Sequence, residues 1–146
     1  MWLFGFYTGD GYMDSARVYF AVASDDPAAA KVERLLKELF GVEVTRRGVT
    51  LRVNSVELVD FFRQIGFGGT AKTKQVPRWV FTLPQDQKRA FIEGYIAADG
   101  HVRKGHIQTS VTSANRELLE QIWHLAISCG MNPTKISTYV RRDRLP

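Results

Sequence analysis

Ile92-Glu93-Gly94-Tyr95-Ile96-Ala97-Ala98-Asp99-Gly100 is the stretch on which the reading of this chain turns. It closes a segment from Pro84 to Asp99 in which Phe91, Ile92, Tyr95 and Ile96 recur at helical spacing. Pro84 suits a first helical turn and Gly100 the position after the last. A glycine inside a helix costs about 1 kcal/mol against alanine, so Gly94 needs a reason, and repetition supplies one. Gly5, Asp10 and Gly11 recur as Gly94, Asp99 and Gly100, each displaced by 89 positions. The same offset carries Ser24 to Ser113, Leu36 to Leu125 and Gly41 to Gly130. A helix ending at Asp10 is therefore the twin of one ending at Asp99. The small residues Gly5, Gly9, Gly94 and Ala98 predict that the two helices cross closely about a pseudo-twofold axis.

Working outward, each copy continues in the same order. Arg17 to Ala23 and His106 to Thr112 alternate as strands. Amphipathic helices follow, carrying Val32, Leu35, Leu36, Leu39 and Phe40 in one copy and Leu118, Leu119, Ile122, Trp123 and Leu125 in the other, ended by Gly41 and Gly130. Val42 to Arg46 and Val49 to Val53 read as a hairpin turning at Arg47-Gly48, and Asn54 with Glu57 opens a further helix through Ile65. The fold class is α+β, a pseudo-twofold repeat of an α-β-β-α-β-β-α unit. Thr134 to Arg142 supplies one late strand of the second copy, which stops at the equivalent of Glu57 and is expected to be incomplete. The expected divisions are residues 1–67 for the first repeat, 68–83 for a linker and 84–146 for the second repeat.

Composition narrows the function. In 146 residues, 45% hydrophobic and 24% charged, a packed core is expected and a disordered tail or coiled coil is excluded. The single cysteine, Cys129, rules out an intrachain disulfide and a multi-cysteine zinc site. No apolar run reaches the roughly 20 residues of a membrane span, and Met1-Trp2-Leu3 lacks a basic signal-peptide region. A soluble, unexported, cytoplasmic protein with no membrane partner is expected. The net charge of +5 favours a polyanionic partner.

Close packing of the twin helices brings Asp10 and Asp99 to one end of their interface. Each carboxylate opposes the negative pole of its helix, at about 0.3 to 1 kcal/mol, and repels the other. Two readings stay open: each Asp-Gly pair prepares a tight turn, or the two acids hold a hard divalent cation such as magnesium. His101, His106 and His124 lack metal-ligand spacing. Cys129 aligns with Phe40 as a core position, Glu93 is a solvent-facing or interhelical polar group, and Asp14 and Asp25 are turn or capping residues.

The motif ending at Asp99, its twin Leu3-Phe4-Gly5-Phe6-Tyr7-Thr8-Gly9-Asp10-Gly11, and Lys74-Gln75-Val76-Pro77 ahead of the second helix together resemble the LAGLIDADG (dodecapeptide) homing endonucleases of the intein-encoded type. The resemblance implies a monomeric, internally pseudo-dimeric endonuclease that lays two sheets as a saddle on the major groove of double-stranded DNA. It implies that Asp10 and Asp99 hold Mg2+ or Mn2+ and that Lys74 is the active-site lysine, with Lys72 a nearby competitor. Water would attack phosphorus while metal ions stabilise the attacking and leaving oxygens. The polar strand faces would touch DNA through Arg17, Tyr19, Arg46, Arg47, Arg52, Arg103, Lys104, His106, Gln108, Ser110, Arg141 and Arg142. The alternative is a DNA- or RNA-binding module of the same fold that does not cleave, as in regulators or maturases. Retention of both aspartates favours the enzyme.

Overall fold

The computed structural model describes residues 1–102 and 108–138. The chain runs α1 (Trp2–Asp10), β1 (Gly11–Met13), β2 (Arg17–Ala21), α2 (Ala28–Phe40), β3 (Thr45–Arg47), β4 (Thr50–Asn54), α3 (Val56–Gln64), α4 (Gln85–Asp99), β5 (Gly100–Val102), β6 (Thr109–Val111) and α5 (Arg116–Ser128). The first repeat thus has the full α-β-β-α-β-β-α order, and the second runs α-β-β-α. Residues 134–138 of the expected late strand carry no regular structure, and 139–142 lie outside the described residues.

Helix α1 is apolar on almost every side, which sends it to the centre of the molecule. Leu3, Phe6 and Tyr7 are each about 1% exposed. Helices α2 and α3 are amphipathic and bury Val32, Leu36, Leu58, Val59 and Phe62 beside it. The antiparallel sheet has the order β1-β2-β4-β3. Because side chains alternate along a strand, its register sorts the two faces. Val18, Phe20, Leu51 and Val53 point into the core, whereas Arg17, Tyr19, Arg52 and Arg47 share the opposite face. The second repeat pairs β5 with β6 and packs α5 against α4 through Leu118, Ile122 and Leu125.

Several local expectations shift by one position, each for a visible reason. The hairpin turns at Gly48-Val49 rather than Arg47-Gly48, since Arg47 pairs with Thr50 and Gly48 takes the left-handed φ of 56°. Asn54 ends β4, so Ser55 caps α3 by accepting from the Leu58 N–H. Pro84 is the residue before α4 rather than inside its first turn. Asp25 lies in the turn closed by the Asp26 N–H on the Ala23 carbonyl, as expected of a turn residue, and Asp26 accepts from the Ala28 N–H at 2.8 Å just ahead of α2. Leu39 is largely exposed despite its place in the helical pattern.

The segment expected as a linker contributes to the core, with Val76 and Val80 buried around the 3-10 turn Arg78–Thr82. Just before it, Phe67 at the end of the first repeat stacks on Phe4 at 4.8 Å and on Phe91 at 6.2 Å between centroids, and the linker's Trp79 meets its edge. Aromatic rings from both repeats therefore join one core. Among the described residues no helix is long and apolar enough to cross a membrane.

Candidate active site

The site is built where α1 and α4 cross. A Cβ added to Gly5 would overlap the Phe91 carbonyl, and one added to Gly94 would overlap the Trp2 carbonyl. One at Gly9 would come within 2.6 Å of the Ala98 Cβ and 3.3 Å of the Asp99 carboxylate. The absence of side chains at these positions lets the backbones touch. It also brings the two helix ends, and with them Asp10 and Asp99, together.

Each helix passes directly into a strand after its aspartate. Gly11 and Gly100 have extended backbones, with φ of −95° and −75°, so neither Asp-Gly pair makes a tight turn. Glycine is required there because a Cβ would strike the Tyr7 ring or the Ile96 carbonyl. The turn reading of the aspartates therefore falls.

The two carboxyl groups are close enough to act on each other's ionisation. Burial, then the neighbouring Asp99 charge, pushes the Asp10 carboxyl up to about 7, and burial also raises Asp99. Lys74 is 5% exposed and sits under the end of α1, where its ammonium donates to the carbonyls of Tyr7 at 3.0 Å, Thr8 at 3.4 Å and Gly11. Burial lowers its pKa to about 8, against the opposing pull of Asp99 and Asp10. An ammonium has three N–H donors, and here all three have backbone acceptors. Lys72 is exposed on the loop.

The backbone around Lys74 is held in turn by α5. Asn115, 5% exposed, donates to the Lys74 carbonyl at 2.8 Å and the Ala71 carbonyl at 3.3 Å. Gln121 accepts from the Val76 N–H at 2.7 Å, and Gln75 donates to Glu117 at 3.1 Å.

On the polar sheet face Tyr12, which sequence reasoning did not single out, stacks on Tyr19 with centroids 4.5 Å apart. Its place in a short strand opposite Tyr19 was the available signal. The Tyr19 hydroxyl donates to Asp14. Arg17 meets Asn54 and Asp14, and the Arg52 Nε has no hydrogen-bond partner among the described residues. Arg47 is exposed on this face. Arg46 is not on it: it pairs with Leu51, has the core-facing parity, and donates to the Val22 and Gly48 carbonyls at 2.9 and 3.3 Å. Gln108 and Ser110 are exposed, with Ser110 paired to His101. Arg103, Lys104, His106, Arg141 and Arg142 lie outside the described residues. Cys129 is fully buried and Glu93 exposed.

Comparison with known proteins places this geometry. A family model described as a LAGLIDADG-like domain matches residues 86–144. An iron-sulfur cluster assembly SufBD family protein of Mycobacterium leprae is 35% identical over 138 residues, covering 91% of this chain and 16% of that protein. A DNA polymerase II large subunit of Thermococcus kodakarensis is 31% identical over 131 residues, covering 85% of this chain and 7% of the subunit. The chain thus spans only a small part of the curated relatives it matches. In three dimensions it is similar to the crystal structure of I-DmoI in complex with DNA and Mn. The TM-score is 0.64 at 19% identity, over 94% of this chain and 81% of that one, which establishes a common fold. Residues 86–144 thus match a LAGLIDADG-like domain, and the chain as a whole has the fold of the homing endonuclease I-DmoI.

Proposed function

We propose that this chain is a metal-dependent, site-specific endonuclease that hydrolyses phosphodiester bonds in double-stranded DNA. The observation that carries the reading is the paired, partly buried Asp10 and Asp99 at the common end of two crossing helices. A pair of acids held together against burial and mutual repulsion is suited to a divalent cation, Mg2+ or Mn2+. No third His, Cys, Asp or Glu joins them among the described residues. That suits a hard ion that completes its shell with phosphate oxygens and water. When bound, such an ion supplies Lewis-acid stabilisation of charge on phosphate oxygens and makes a water more acidic.

The chain's own residues hold that arrangement. Gly5 and Gly94 set the approach of the helices, and Asp10 and Asp99 present the oxygens. Lys74 caps the last carbonyls of α1 and places a positive charge beside both acids. In this position it fixes the helix end; contact with a phosphate would require it to give up one of its three carbonyls. Arg17, Tyr19, Arg47 and Arg52 form a polar face suited to groove edges and phosphates. The monomer, with its repeats related by a pseudo-twofold axis, would act as one unit.

An intein origin fits the relatives. A cluster-assembly protein and a polymerase subunit are named for unrelated work, and each matches this chain over a small fraction of its length. A segment shared on those terms reads as an inserted passenger.

The test is cleavage of a library of duplex sites with magnesium or manganese, followed by sequencing of the cut ends. Enrichment of one site with both strands cut supports the proposal. Binding of a site with neither strand cut by either ion supports the non-cleaving module instead.

A further inference from the structure

We infer that Asn115 is a positioning residue for Lys74, so that the first helix of one repeat receives its lysine cap from a loop held by the other repeat. Asn115 opens α5, and its Oδ1 accepts from the Leu118 N–H at 3.0 Å. Its Nδ2 faces the carbonyls of Lys74 and Ala71. Only one orientation of the amide suits these partners, since a flip would set an NH2 against an N–H and an oxygen against two carbonyls.

The 89-residue offset shows what is special about this side chain. Asn115 corresponds to Asp26, whose carboxylate accepts from the Ala28 N–H two residues on, just ahead of α2, where Asn115 accepts from the N–H three residues on. An acceptor at the head of this helix is thus met by a carboxylate. The amide adds two N–H donors, and both are used on the loop that carries Lys74. Buried carbonyls without a donor are costly, so the amide fixes the loop while Gln121 fixes Val76 beside it. With its peptide anchored, Lys74 reaches inward to Tyr7, Thr8 and Gly11.

The kinetic consequence rests on the endonuclease reading; the structural one does not. Asn115→Asp keeps the cap acceptor and the side-chain shape but removes the donors, and Asn115→Ser keeps a capping oxygen without the reach. The experiment compares acylation of each lysine by an amine-reactive acetylating reagent, read residue by residue by mass spectrometry, with cleavage of the selected DNA site. We expect Lys74 to become several-fold more reactive in both variants while Lys37, on the far side of α2, is unchanged. Cleavage turnover should fall roughly 10- to 100-fold, as for losses of groups that orient a site, with KM for DNA unchanged and no further loss when Lys74→Gln is added. Unchanged Lys74 reactivity overturns the inference. So does a parallel rise at every lysine, which would make Asn115 a general stabiliser. If the parent cuts no DNA, the endonuclease reading fails, and the acylation result decides the role of Asn115 alone.

Discussion

Gly5 and Gly94 are seated on each other's helices, Gly5 against the Phe91 carbonyl and Gly94 against the Trp2 carbonyl. The relationship is reciprocal, as a twofold axis between the repeats demands, and the obstacle in each case is backbone rather than a side chain that could swing aside.

Gly94→Ala or Gly5→Ala should therefore force the helices apart and destabilise the protein by about 3 kcal/mol or more, the upper range for overpacking. Gly41→Ala is the contrast: a Cβ there meets nothing within 4 Å, and only the left-handed φ of 62° is strained, at about 1 kcal/mol. Urea denaturation of the variants separates the two costs. Equal, small losses at Gly41 and Gly94 would contradict the close crossing.

The aspartate pair gives the metal-free protein a particular pH dependence. The folded Asp10 pKa of about 7 lies above the ordinary 3.8, so the folded state keeps a proton that the unfolded state releases. This contribution is full below about pH 4 and is lost as pH rises towards 7. Thermal melts in a chelator should show stability declining over that window, and Asp10→Asn should flatten the decline. Lys74→Met removes a positive charge that lowers both acids, so the decline should extend above pH 7. Stability that rises with pH across this window in the parent would contradict the buried pair.

Strand register separates two arginines that look alike in sequence. Arg52→Ala should reduce the log-log salt slope of DNA binding by about 0.9, the value for one lost phosphate contact. Arg46→Ala should leave the slope unchanged, because its guanidinium is turned to the Val22 and Gly48 carbonyls. Binding titrations at several salt concentrations check both, and equal changes for the two variants would contradict the assignment of faces.

The repeat made much of this legible. Matched glycines and helix-ending aspartates in two copies carry the central crossing, because close approach leaves an imprint at fixed spacing. What was hidden depends on three-dimensional partners. Arg46 and Arg52 both read as basic strand residues until the turn at Gly48-Val49 sets their parity. The stretch 68–83 reads as a linker, since Val76 and Val80 are too sparse to show a period, yet both are buried in the core. Lys74 was legible through the family motif, but its inward reach depends on Asn115, and a capping asparagine looks ordinary in sequence. The offset that maps Asp26 to Asn115 was the one available clue.

The central claim is that Asp10 and Asp99 together form a cation-dependent cutting centre distinct from the surface that binds DNA. The most direct measurement is binding and strand-specific cleavage of the selected site by the parent, Asp10→Asn and Asp99→Asn, with magnesium for cleavage and a chelator for affinity. Asparagine keeps the shape and removes the charge needed to hold the ion. The account predicts that both substitutions abolish cleavage while metal-free affinity holds or rises, since an anion facing the phosphates has gone. Undiminished cleavage by either variant would contradict it.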